Sequence, residues 1–186
     1  MGVDDYPKVT IAYKGVFDFK EIYTLLHGFL SEKGYIAADH IGVGPSDLFE
    51  TEYLEVGESP RDHLIKWKTK KEGAQGFFLN RFDLTFRGTA ITKTEVMIDG
   101  KKEQMHKGEL GIEIKASFET DVQKIMDNHW LVKHFQEKFK EMTKTMKKGE
   151  QDAFEDDLHD LHNFIKRYFK MKGESFVAEV SPVNRG

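Results

Sequence analysis

A chain of 186 residues has room for one sizeable hydrophobic core, and its 15 Phe, 6 Tyr and 2 Trp supply enough aromatic surface to fill one, which excludes wholesale disorder. The net charge of −4 argues against a dedicated nucleic-acid binder, whose affinity rests on a basic surface that neutralises phosphates. With no cysteine, a disulfide framework, cysteine-ligated zinc and a thiol nucleophile are all removed, and a reducing cytoplasmic setting is expected.

The opening MGVDDYPKVT has neither the basic start nor the apolar run of a secretory signal, and Asp5-Tyr6 stand where an N-myristoylation motif wants Ser or Thr. Val9, Ile11 and Tyr13 alternate within Lys8 to Tyr13, which predicts a first strand ended by Gly15. From Asp18 to Lys33 the residues Phe19, Ile22, Tyr23, Leu26, Phe29 and Leu30 recur at three and four, the period of an amphipathic helix, with Asp18 to cap it and Gly34 to end it. The segment from Gly42 to Asp47 has a loop composition; it has the glycines of a phosphate loop without the Lys-Ser/Thr ending.

Leu48 to Val56 and His63 to Lys70 read as strands, the second with His63, Ile65, Trp67 and Thr69 on one face. A GAQG loop precedes FFLNRFDLTF, where Phe78, Phe82, Leu84 and Phe86 share a face interrupted by Asn80, a polar group either satisfied in the core or looking into a cavity. Ile91 to Ile98 is β-rich, Asp99-Gly100 is the signal of a two-residue hairpin turn, and Lys101 to His106 is expected to pair back. In GELGIEIKASF the residues Leu110, Ile112, Ile114, Ala116 and Phe118 alternate with mostly charged neighbours, so this strand is expected at the centre of the sheet.

After Thr120 the period changes. Leu131, Phe135, Phe139, Met142 and Met146 form one helical stripe beginning near Asn128, and Phe154, Leu158, Leu161, Ile165 and Tyr168 form a second. The stripes are about one residue out of phase, and lysines before Gly149 give way to acids after it, so a break at Gly149 is expected between helices at 128–147 and 150–171, with one kinked helix as the alternative. A single domain over residues 1–172 and a flexible tail over 173–186 follow.

The order of elements predicts an α+β fold: an antiparallel sheet of five to six strands, with an N-terminal helix and one or two long C-terminal helices packed on one face. This order resembles the helix-grip arrangement of the START-like ligand-binding superfamily over Lys8 to Met171, with the Gly42 to Asp47 loop where that family has a second helix. The segments YKGVFDFKEIYTLLHGFLSEKGY and IKWKTKKE resemble a group of small uncharacterised archaeal proteins, which implies no activity.

No catalytic constellation and no cofactor motif stands out. His159 and His162, three apart with Asp156 and Asp160 nearby, are weak metal candidates set against a solvated helix face, since the His pair of metalloproteases is four apart with a Glu between. Lys66, Lys68, Lys70 and Lys71 around Trp67 form a basic strand, read either as a nucleic-acid platform or, in better accord with the acidic total, as a solvated edge. Trp130, Phe164 and Phe169 lie beside the C-terminal stripes and widen them, which points to a homodimer or protein partner through those helices. A non-enzymatic binding or assembly protein is the leading expectation. A helix-grip carrier of a small apolar ligand comes second, an RNA-associated protein third, and no membrane partner is expected.

Overall fold

The computed structural model describes residues 2–39, 48–73, 76–98, 101–120, 136–171 and 176–180, of which 98, 136–143 and 176–180 are described by their backbone alone. Among these residues the chain forms an eight-stranded antiparallel sheet, an N-terminal helix and a long C-terminal helix packed against it, the α+β architecture that the element order implies. The strands are β1 (Gly2–Asp5), β2 (Val9–Phe17), β3 (Ile36–Ala37), β4 (Glu50–Val56), β5 (Arg61–Glu72), β6 (Phe78–Ile98), β7 (Lys101–Thr120) and β8 (Phe176–Val180), with α1 (Phe19–Glu32) and α2 (Gln136–Met171) as the helices. The path across the sheet is β3-β5-β6-β7-β2-β8, with β4 also on β5 and β1 also on β7. Among the described residues no helix is long and apolar enough to cross a membrane.

The alternating stretch after Gly108 occupies the middle of this sheet. Ile114 stands opposite Val9 of β2 on one side and Leu84 of β6 on the other. Leu110, Ile112, Ile114 and Phe118 are fully buried, whereas Glu113 and Lys115 between them lie on the other face, where Glu113 pairs with Lys8 and Lys115. Removing each such Leu or Ile side chain from water stabilises the fold by about 1.5 to 3 kcal/mol. The Asp99-Gly100 turn lies outside the described residues, but the register it implies is present, from Ile98 opposite Lys101 to Lys93 opposite His106.

The strands on either side of that turn are longer than the sequence pattern suggests. β6 runs unbroken for 21 residues and absorbs its discontinuity as a bulge between Thr89 and Thr92 rather than ending. Likewise β2 passes through Gly15 to Phe17, because Gly15 faces Gly108 in a paired ladder that needs no side chain.

Helix α1 begins where expected. The Asp18 carboxylate accepts the backbone N–H groups of Lys20 and Glu21, and Gly34 leaves the helix at φ +85°, a conformation open to a residue without Cβ. Its buried residues Ile22, Leu26 and Leu30 lie on one stripe.

The C-terminal helix corrects two expectations. α2 continues through Gly149 as one helix from 136 to 171, since a single glycine costs a helix only about 1 kcal/mol and the surrounding turns hold it in place. The charge change around it has other uses: Lys147 pairs with Asp4 of β1, while Asp157 serves the sheet side. The expected helix start near Asn128 lies outside the described residues.

The second correction is at the C-terminus, where residues 176–180 are not a free tail: β8 pairs antiparallel with β2, from Val9 opposite Val180 to Tyr13 opposite Phe176. Without β8 that side of β2 would present unpaired backbone donors and acceptors along an edge. The rest of the tail, and the Gly42 to Asp47 loop, lie outside the described residues.

Candidate ligand cleft

At the end of the sheet where α1 begins, three features turn side chains into one cleft. The bulge at Thr89 and Thr92 shifts the alternation of β6 by one residue, so Ile91 comes to the face that Phe86 and Gly88 occupy before it, and Lys93, two residues on, with it. Ala90 holds φ +53° there, with its N–H donated to Asp62 Oδ1 at 2.8 Å. Gly108 lies beneath the bulge; a Cβ on it would stand 2.6 Å from Ile91 Cδ1 and 3.0 Å from the Thr89 and Ala90 carbonyl oxygens, so any side chain here would displace Ile91 and crowd the bulge. Lys93 pairs across the ladder with His106, and His63 reaches the same cleft from the buried face of β5.

The cleft has two halves that share His63 and His106. One, of about 470 Å³, is lined by Phe19, Lys20, Tyr23, Glu50, Tyr53 and Ile65 besides the two histidines. The other, of about 350 Å³, is more polar, with Glu55, Glu58, Arg61 and Lys93 on its walls. Phe19 stands between the imidazoles, stacked on His63 at 5.7 Å and edge-on to His106 at 6.3 Å.

Fixed bonds hold most of the polar groups. Tyr23 donates to Glu50 Oε2 at 2.9 Å, Tyr53 donates to Glu55 Oε2 at 3.1 Å, and Arg61 bridges Glu55 and the Glu58 carbonyl. Burial, then the Glu50 carboxylate, pushes the Tyr23 hydroxyl up to about 12, so it remains a donor at neutral pH. His106 Nδ1 accepts a long bond of 3.5 Å from the backbone N–H of Phe19, the first residue of α1. A bond there draws on a lone pair at Nδ1, which the neutral ring supplies when its proton is on Nε2. Burial holds the His106 pKa below the usual histidine range, with His63 and Lys93 adding to the effect and Asp18 opposing it. His63 Nδ1 is shielded from solvent with no hydrogen-bond partner among the described residues.

The residues that the sequence pattern brings forward lie elsewhere. His159 is exposed, and His162 is half-buried with Nε2 shielded and its pKa lowered, first by burial. No group of three or more His, Asp or Glu is placed to hold a metal among the described residues. Asp157 and Asp160 are engaged instead by Lys33.

The lysine strand is not an edge: β5 has β6 on one side and β3 and β4 on the other. Lys66 pairs with Glu52 at 2.7 Å, Lys68 faces Asp83 across the ladder, Lys70 faces Arg81, and Lys71 bonds Asp157. Lys66–Glu52 and Lys68–Asp83 are cross-strand neighbours of opposite charge, Lys70 stands opposite a second cation, and Lys71 points to the helix side.

Trp130 lies outside the described residues. Phe164 rests on Phe29 with ring centroids 4.9 Å apart, and Phe169 is fully buried and stacked on Tyr13 at 4.6 Å, so Phe169 belongs to the core and not to an interface. Asn80 is buried with Oδ1 lacking a partner among the described residues, and Phe78 and Phe82 beside it on the same face offer no donor.

Sequence reasoning missed Tyr23, Glu50, Tyr53 and His106 as a group. The one signal pointing toward them was His63 on the apolar face of Ile65 and Trp67. No family model, curated protein or solved structure matches the chain, so the functional reading rests on the cleft.

Proposed function

We propose that the chain is a non-enzymatic binding protein that seats a small organic ligand in the cleft between α1 and the β4–β5–β6–β7 end of the sheet. The observation that carries this reading is the 470 Å³ half-cleft, in which Phe19, Tyr23, Tyr53 and Ile65 form apolar walls around a few convergent polar groups. That volume and that mixture are those of small-molecule sites. The polar groups are held in place by bonds within the fold, so the site is largely formed before a ligand arrives. The resemblance to helix-grip proteins supports a ligand carrier in a cysteine-free, cytosolic setting. Under the C-terminal helix the side chains close on one another instead: Phe154, Leu161, Ile165 and Phe169 are fully buried and Phe154 stacks on Phe82 at 5.0 Å.

The test is a fragment screen read by amide chemical shifts on the full chain. Perturbations clustered at Tyr23, His63 and His106 are expected. A screen in which hits perturb only other faces would reject the cleft as the seat.

A second reading, a two-fold dimer, is favoured by the exposed apolar side chains of β4, Leu54 at 49% and Val56 at 58%. Sedimentation at micromolar concentration tests it: a monomer whose behaviour is unchanged by Leu54→Ser would reject it.

A further inference from the structure

We infer that the ligand of this cleft carries a positive charge on nitrogen, an amine or quaternary ammonium with an apolar body, received by the Glu50 carboxylate and the rings of Phe19, Tyr23 and Tyr53. This inference rests on the cleft being a binding site and names the chemistry it selects.

The argument begins with carboxylate pairing. Elsewhere in the fold several partly buried carboxylates are matched by a cation: Glu113 by Lys8 at 3.1 Å, Glu119 by Arg81 at 2.7 Å, Asp157 by Lys33 at 3.1 Å and by Lys71 at 2.8 Å. In the neighbouring half of the cleft Glu55 is matched by Arg61. Glu50 is not matched in this way; among other half-buried carboxylates outside an ion pair, Asp18 is taken up by the first backbone N–H groups of α1 and Asp83 stands across the ladder from Lys68, whereas Glu50 lines the cleft. It is half-buried in the cleft wall, it accepts from the Tyr23 hydroxyl at 2.9 Å, and no Lys, Arg or His nitrogen lies within 4 Å of it among the described residues. A phenol donates one hydrogen bond to a carboxylate without matching it with a cation, so the Glu50 carboxylate lines the cavity with that position open to a ligand.

The walls around that charge suit a cation. Phe19, Tyr23 and Tyr53 line the same half of the cleft, and aromatic faces attract organic cations through their quadrupole. Both tyrosines remain neutral donors at ordinary pH, since burial comes first among the causes that raise each hydroxyl pKa. A quaternary ammonium needs no hydrogen-bond acceptor, only a carboxylate within reach and ring faces to replace water. Ile65 and Phe19 offer the surface for its apolar body, and the volume of about 470 Å³ leaves room for both parts.

One group opposes this. Lys20, exposed at the second position of α1, is the one Lys or Arg lining this half among the described residues. Its charge would favour an anion, so it makes the sign of the ligand testable from both sides.

The experiment titrates the full chain with benzyltrimethylammonium, and separately with phenylacetate and benzyl alcohol as anionic and neutral probes of similar size, each followed by amide chemical shifts. The cation should bind in the cleft with Kd in the millimolar range or below, Glu50→Gln should weaken it by on the order of tenfold, and Lys20→Ala should strengthen it several-fold. Tyr53→Leu, at a side chain already 53% exposed, should weaken the cation without unfolding the chain and stands in if the Glu50 variant folds poorly. Phenylacetate binding that is lost with Lys20→Ala, with no cation binding, would overturn the charge assignment and leave the cleft reading standing. Benzyl alcohol binding as tightly as the cation, unaffected by Glu50→Gln, would do the same in favour of an apolar ligand. If none of the three perturbs Tyr23, Tyr53 or His63, the cleft reading falls with it.

Discussion

Lys71 Nζ lies 2.8 Å from Asp157 Oδ2, a contact between residues 86 apart that ties β5 to α2. Lys33 Nζ reaches the other carboxylate oxygen at 3.1 Å and the Tyr35 hydroxyl donates to Oδ2 at 3.2 Å, so one buried carboxylate joins α1, the turn after it, the sheet and the C-terminal helix. Burial alone would raise the Asp157 pKa, but the hydrogen bonds from Lys71 and Lys33 outweigh it and hold the group below its ordinary value. The stability this supplies is therefore present above the unfolded-state pKa of about 3.9 and is lost as pH falls through the lower folded value.

Asp157→Asn should cost about 1 to 3 kcal/mol at pH 7, the penalty for leaving buried polar partners unmatched, and the lower part of that range is favoured because both lysines are about a third exposed. Urea denaturation measures it. A midpoint shift no larger than that of Asp156→Asn on the exposed face would show that the carboxylate does not join these elements.

His106 gives a second pH response in a separate window. Its folded pKa lies below the unfolded value, so as pH falls through about 6.5 the unfolded chain takes up a proton that the folded chain does not, and stability declines until the lower folded pKa is reached. His162 is shifted the same way and contributes in parallel. His106→Asn should therefore flatten part of the loss in urea midpoint between pH 7.5 and 5, and His106→Asn with His162→Gln more of it. An unchanged pH slope in the double variant would place the sensitivity in other groups.

Phe169 distinguishes core from surface. Because its ring is fully buried between Tyr13 and Tyr168, Phe169→Ala should cost about 3 to 5 kcal/mol, whereas Phe164→Ala, half-buried on Phe29, should cost less. Equal and small losses at both positions, with a change in sedimentation, would return Phe169 to an interface.

What was legible in the sequence was what repeats locally. The period of two in Leu110 to Phe118 and the three-four spacing of α1 each follow from one buried face, so the sheet centre, the helix and its Asp18 cap could be read directly. The cleft was not legible because its members come from five segments, two of them aligned by a one-residue bulge: Phe19 and Tyr23 lie on α1, Glu50 opens β4, His63 ends the apolar face of β5, Lys93 lies past the bulge, and His106 precedes Gly108. No period marks a bulge. β8 escaped notice for a related reason, since what holds it is the open backbone ladder of β2, a property of a distant strand and not of Phe176 to Val180.

Gly149 offers the sharpest separation of the sequence expectation from the observed helix. Had a helix ended there, the glycine would occupy a left-handed C-terminal position, and replacing it with alanine would be destabilising. In the observed fold α2 passes through it, the residue is exposed, and a Cβ built on it meets nothing within 4 Å. Alanine in an exposed helix interior is favoured over glycine by about 0.5 to 1 kcal/mol, mainly because the unfolded chain loses conformational freedom. Gly149→Ala should therefore raise the urea midpoint at neutral pH, with a helical circular dichroism signal equal to or slightly above that of the parent chain. The size of the gain reports on the helix alone, because no side chain lies near enough to repack. A lower midpoint would mean that α2 is interrupted at Gly149 in solution and that two shorter helices cover the sheet.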